Sequence, residues 1–208
     1  LDGLMAKAID ESGIQHRVLN NSKGPAVRGP RAQADRNLYK EAIQNFLKDQ
    51  KLLSIIEASV EDIEIVNNTI NSVILNNSDK LYSKTVVLTA GTFLRGLIRI
   101  GKSSYPAGRV GDRPSINLAK KIESLKFSIG RLKTGTPPRI EKLSINFNKL
   151  EEQKPDNNPT PFSFVNKIIN TPQISCFITH TNEKTHKLIA NNIHLSPMYS
   201  GKIEAMGA

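Results

Sequence analysis

The chain has 208 residues, 38% of them hydrophobic, with 29 Lys and Arg against 19 Asp and Glu for a formal charge of +10. That length accommodates one domain or one and a part, and its Val, Ile and Leu content fills a core of a kind a disordered chain lacks. No apolar run approaches the roughly 18 residues of a membrane-spanning helix, the N-terminus lacks a signal-peptide layout, and the one cysteine, Cys176, excludes an internal disulfide. These features fit a soluble protein of a reducing cytoplasm. The start at Leu1, without an initiator Met and already in helical pattern, points to a segment of a longer polypeptide.

Leu4, Ala8 and Ile9 stand at helical spacing and Gly13 follows as a C-cap, which predicts a short amphipathic helix packed on a sheet. The stretch 20–31, NNSKGPAVRGPR, with two X-Pro steps, reads as a loop carrying Lys23, Arg28 and Arg31. Beyond Ala32, Leu38, Ala42, Ile43, Phe46 and Leu47 recur at the helical period, predicting a helix that ends near Gln50. The period then changes. LLSIIEAS, VEDIEIV, TINSVIL and KLYSKTVVLTAG are β-branched runs, the later ones separated by NN and NNSD turns. They describe a three-stranded antiparallel meander leading into a buried strand, Thr85–Thr89. A strand apolar on both faces belongs inside a parallel sheet, and the Ala90-Gly91-Thr92 that ends it lies where ligands bind in open α/β sheets.

A strand-like LIRIG, a loop over 103–115 and a helix from Ile116 to Leu125 come next, with Ser115 as its N-cap. Gly135-Thr136-Pro137-Pro138 halts regular structure and marks a boundary near Pro138. The remainder predicts a strand in ISCFITH and a helix over Glu183–Asn192. Charge is uneven along this path. Residues 17–40 carry net +5 and 95–139 net +9, both rich in Arg, whose planar fork suits phosphate. A nucleic-acid partner and a merely solvated basic surface both remain open on composition alone.

A meander followed by a strand ending in T-A-G is the layout of the later part of a glutathione-reductase-type FAD-binding domain, and no G-x-G-x-x-G phosphate fingerprint occurs within the chain. Four strings are more specific: SKGPAVRGPRAQADR (22–36), AGRVGDRPS (107–115), GRLKTGTPPR (130–139) and THTNEKTH (179–186). With LDGLMAKAID at the start, the chain closely resembles, over essentially its whole length, the flavin subunit of the enzyme that installs the 5-carboxymethylaminomethyl group on the wobble uridine of transfer RNA. Asp2 departs from the resemblance, standing where glycine is expected.

The resemblance implies an α/β fold: a partial Rossmann domain with its β-meander over 1–138, lacking the first βαβ unit, and the start of an inserted α+β domain over 139–208. It implies that Val60 offers backbone hydrogen bonds to the adenine of FAD, that Thr89, Ala90, Gly91 and Thr92 pass beside the dinucleotide, and that Ser115 contacts the cofactor. Val60 as plain core and Ser115 as plain N-cap are the competing readings. Lys133, Thr134, Thr136 and Arg139 lie in the string near the flavin ring and substrate pocket, against the rival of a Gly-Pro linker bearing solvated bases. Asn182, Glu183 and Lys184 cap a helix facing that pocket. Lys23, Arg28, Arg31 and Arg109 are candidates for RNA contact.

The family's nucleophilic cysteines lie in other strings, so no catalytic nucleophile is assigned. Cys176, between Ile174 and Phe177, reads as a small buried apolar residue. His180 and His186, six apart, match no metal spacing, and no metal is expected. By resemblance NADH reduces the flavin, methylenetetrahydrofolate donates the one-carbon unit, a GTPase subunit is the partner, and the full-length protein is a homodimer that touches no membrane. A nonenzymatic RNA-binding fragment and another FAD-dependent oxidoreductase are the alternatives.

Overall fold

A computed structural model describes residues 3–201, 203, 206 and 207, which leaves Asp2 outside the described residues. In chain order they form helix α1 (Leu4–Ser12), strands β1 (Gly13–Leu19) and β2 (Gly29–Ala34), helix α2 (Arg36–Lys48), and strands β3 (Val60–Val66), β4 (Thr69–Leu75) and β5 (Lys80–Tyr82). Strands β6 (Leu97–Ile100) and β7 (Ser103–Pro106), helix α3 (Asn117–Ser124), strands β8 (Leu132–Lys133), β9 (Glu151–Gln153) and β10 (Cys176–Ile178), helix α4 (Glu183–Asn192) and strand β11 (Met206–Gly207) follow. Contacts divide the chain into two units, 1–54 with 139–180 and 55–138 with 181–208. One crossing between them falls at Pro138, where the Gly-Pro run stops regular structure.

In the first unit α1 packs chiefly on α2, with Ala8 and Ala42 buried, and meets the expected sheet more sparsely, through β2. Gly13 follows α1 as expected, but its φ of −73° is open to any residue. Glycine is required because a Cβ there would lie 2.2 Å from Cε1 of His16. The predicted loop is shorter than 20–31. Two 3₁₀ turns, Asn21–Lys23 and Pro25–Val27, give way to β2, which pairs antiparallel with β1, so Arg31 sits on a strand rather than in the loop.

The same unit is laced by buried polar contacts. Asp10, 4% exposed, accepts hydrogen bonds from the backbone of Phe162 and Ser163 at 2.8 and 2.9 Å and from Asn166 Nδ2 at 2.9 Å. Gln173 joins the backbones of Gly13 and His16, and Asp156 accepts from Val18 N at 2.8 Å. Residues 154–174 are thereby fixed along β1. Strand β10 pairs with β9, but Cys176 is half-buried rather than enclosed, and its sulfur meets Gln33 Nε2 at 3.2 Å. Helix α2 begins where Asp35 Oδ1 accepts from Asn37 N and Leu38 N, satisfying two first-turn donors.

In the second unit β3, β4 and β5 form the expected antiparallel meander. Asn67 and Asn68, at φ 49° and 60°, supply the two left-handed residues of a tight hairpin turn. Ile63, Ser72 and Leu75 are buried, and α3 lays Leu118 and Ala119 toward β3. Glu64 accepts from Lys80 Nζ at 2.6 Å, Ser72 Oγ at 2.7 Å and Asn71 Nδ2 at 2.6 Å, which hold its carboxyl down at about 2.

Two predicted strands are not formed. LLSIIEAS and Thr85–Thr89 belong to no strand, with Leu52 and Val87 at 104% and 85% exposure. A buried parallel strand needs neighbours for its ladder and cover for both faces, and no described strand runs beside either segment.

Candidate functional site

The site candidates of the second unit gather where the chain leaves Thr85–Thr89 and where it enters α3. Ala90 O accepts from Phe93 N at 3.1 Å across a turn in which Gly91 has φ 56°, the left-handed region that glycine enters freely. The turn feeds Leu94, which forms a parallel bridge to Ser115: Ser115 N donates to Phe93 O at 2.9 Å and Ser115 O accepts from Arg95 N at 3.0 Å. Thr92 Oγ1 donates to Gly108 O at 2.9 Å, closing the loop 107–115 over the same turn. Gly91, Thr92 and Ser115 are therefore neighbours through backbone bonds, although 23 residues separate Thr92 from Ser115 in the chain.

Ser115 is not the N-cap it was expected to be. Ile116 holds that position with no side-chain bond, while both backbone groups of Ser115 are bonded to Phe93 and Arg95. The half-buried Ser115 hydroxyl is left at the head of α3, beside its free first-turn amides.

Helix α3 ties this corner to the strand of Val60. Asn117 Nδ2 donates to Glu61 Oε2 at 2.8 Å, and Lys121 Nζ stands 3.3 Å from Asp62 Oδ1. Between β3 and α3 lies an open cleft of about 450 Å³ lined by Glu61, Asp62, Asn117, Lys120, Lys121 and Ser124. These cleft residues were missed in the sequence. The adjacent acids 61–62 and adjacent bases 120–121 were the available signal. Val60 is half-buried and pairs with Leu75, and β3 is an edge strand, so one line of its backbone groups faces no other strand.

An edge strand with free backbone groups, a turn opened by a left-handed glycine and a hydroxyl at a helix head are the donor set a dinucleotide takes. The adenine edge needs paired donor and acceptor, and the pyrophosphate needs amide hydrogens with no Cβ in the way. The residues present fit FAD in these terms.

The remaining candidates are more dispersed. Lys133 is half-buried in β8, which pairs with β11, while Thr134 and Thr136 are exposed on the following segment. Asn182 caps α4, its Oδ1 accepting from Thr185 N at 3.1 Å, and Glu183 and Lys184 occupy the exposed first turn. His186 Nε2 pairs with Thr181 Oγ1 at 2.8 Å. Arg109 is ion-paired to Asp112 at 2.6 Å, which partly neutralises it. In the first unit Lys23 and Arg28 are exposed on the loop, Arg28 donating to Asn21 O, and Arg139 is exposed. Among the described residues no three His, Cys, Asp or Glu side chains converge as for a metal, and no helix is long and apolar enough to cross a membrane.

Comparison with known proteins agrees in fold and sequence. The solved structure of Aquifex aeolicus GidA in its form I crystal matches with a TM-score of 0.89 and 40% identity, over 100% of this chain and 36% of that one. Two curated relatives carry the name tRNA uridine 5-carboxymethylaminomethyl modification enzyme MnmG. That of Granulibacter bethesdensis is 52% identical and that of Thermodesulfovibrio yellowstonii 50%, each over 100% of this chain and 33% of its own length. The chain thus spans about a third of the length of the curated relatives it matches. A family profile described as Glucose inhibited division protein A matches residues 1–208. The chain belongs to the glucose inhibited division protein A family.

Proposed function

We propose that this chain is part of an FAD-dependent enzyme that adds the carboxymethylaminomethyl group at C5 of the wobble uridine of transfer RNA. The observation that carries the reading is 50–52% identity, over every residue of the chain, to proteins named for that modification. The local geometry supports it. Val60, Gly91 with Thr92, and Ser115 belong to elements joined through α3 and the Leu94–Ser115 bridge. In this reading the Val60 backbone holds the adenine, the turn 89–92 admits the dinucleotide closely, and the Ser115 hydroxyl and α3 amides take phosphate or ribose oxygens. When bound, FAD would supply the redox chemistry of the modification, with NADH as the reductant and methylenetetrahydrofolate as the one-carbon donor.

The chain's own groups then orient and screen. Lys133 steadies anionic charge, Thr134 and Thr136 donate hydrogen bonds near the substrate, and the capped head of α4, with Asn182 and Glu183, borders the pocket. By resemblance we assign 1–138 to the cofactor domain and 139–208 to the beginning of an inserted domain, a division that the two contact units do not follow except at Pro138. A GTPase partner, homodimerisation and a cytoplasmic location belong to the same reading. Its test is a nucleoside analysis. The full-length protein carrying this chain, expressed in cells lacking the enzyme, restores carboxymethylaminomethyluridine at the wobble position, as read by mass spectrometry of digested transfer RNA. Well-expressed, folded protein with wobble uridine still unmodified overturns it.

A further inference from the structure

The first unit contains a pocket that the cofactor assignments above do not use. It occupies about 390 Å³ between α1, β2, α2 and residue 162, and Met5, Ile9, Arg31, Tyr39 and Phe162 line it. Its chemistry is mixed in a particular way. Met5 is 73% exposed and Tyr39 and Phe162 are half-buried, so an apolar and aromatic surface stands open to solvent. The Phe162 ring lies 6.2 Å from that of His16 between centroids, and among the described residues it makes no ring contact with Tyr39, which lines the same pocket.

The charge around the pocket selects the kind of ring. Arg31 on β2 stands directly opposite Arg17 on β1, and two like charges in a facing cross-strand pair repel. Arg17 turns to the carbonyl of Lys154 at 2.7 Å, whereas among the described residues Arg31 has no side-chain bond or ion pair. The segment 17–40 holds six bases and one acid, and that acid, Asp35, is occupied in capping α2. An unpaired guanidinium beside an open aromatic surface, in a block of net positive charge, complements an anion that carries a flat apolar ring.

We propose that this pocket receives an unstacked nucleotide of single-stranded RNA, its base against Tyr39, Met5 and Phe162 and its phosphate on Arg31. The inference rests on the transfer RNA substrate of the reading above and adds a position at which a loop nucleotide is held. A duplex keeps its bases stacked and offers the pocket nothing but phosphate.

The test uses full-length enzyme and an anticodon stem-loop RNA bearing a fluorescent adenine analogue in its loop, with the same strand annealed to its complement as control. Tyr39→Ala weakens stem-loop binding about 5- to 150-fold and abolishes the fluorescence change on binding, while Tyr39→Phe retains both and duplex affinity is unchanged. Arg31→Gln lowers the salt slope of stem-loop binding by about 1. If wild-type enzyme binds the stem-loop and both Tyr39→Ala and Arg31→Gln bind it as wild type does, the pocket is occupied by something else and the inference is overturned. If wild-type enzyme binds no transfer RNA at all, the functional reading falls and this falls with it. Should Tyr39→Ala prove unfolded by circular dichroism, Arg31→Gln decides alone: an unchanged salt slope overturns the proposal.

Discussion

Asp10 shows how a single side chain can hold distant parts of the chain together. Its carboxylate is buried on α1, and the three donors it satisfies come from residues 162–166. Removing it strands two backbone amides and an Asn amide, groups that cost about 1–3 kcal/mol each when buried without partners. Asp10→Ala is therefore expected to destabilise the first unit by about 3 kcal/mol or more, seen as a lower urea midpoint for its transition. Glu64 gives a pH-dependent case. Hydrogen bonds from Lys80, Ser72 and Asn71 lower its folded carboxyl from 4.5 to about 2. A depressed carboxyl stabilises above its unfolded value, and that contribution disappears as pH falls through the folded value. The meander should lose stability between pH 4.5 and about 2, and Glu64→Gln should flatten that part of the profile; an identical acid profile for both proteins contradicts the assignment.

At the scale of elements, α2 and α4 depend on their caps. Asp35→Ala leaves two first-turn amides of α2 without their acceptor and should cost about 1 kcal/mol, measured by thermal unfolding. Both helices were legible because their apolar period and polar caps are local signals, and the β3–β4 hairpin was legible because two asparagines at its turn accept left-handed backbone. The β1–β2 hairpin was not. His16, Arg17 and Arg31 break its apolar alternation, and what holds it is nonlocal, through Gln173 and Asp156. The site was half legible. The glycine turn at 90–92 is visible in T-A-G, whereas the bridge that bonds the Ser115 backbone to Phe93 and Arg95 leaves no trace in local composition. Conversely, the apolar pattern of Thr85–Thr89 states what the strand is suited to bury, while its burial depends on neighbours that no described strand provides.

At the scale of the molecule, two units, each assembled from separate stretches of chain, carry two basic blocks within a sequence of net charge +10. If those blocks face transfer RNA in the full-length enzyme, replacing Arg28, Arg31 and Arg109 together by Ala should flatten the salt dependence of transfer RNA binding, with Arg109 contributing least because Asp112 already pairs with it. An unchanged slope assigns the charge to solvent instead. In the full-length protein the corner built by β3, the glycine turn and the head of α3 is expected to hold the flavin dinucleotide. Hydrogen exchange of the full-length protein with and without FAD reads that corner directly. Protection on FAD binding is expected in the peptides containing Val60, Ala90–Phe93 and Ser115; a protein that binds FAD with all three peptides exchanging as before contradicts the account.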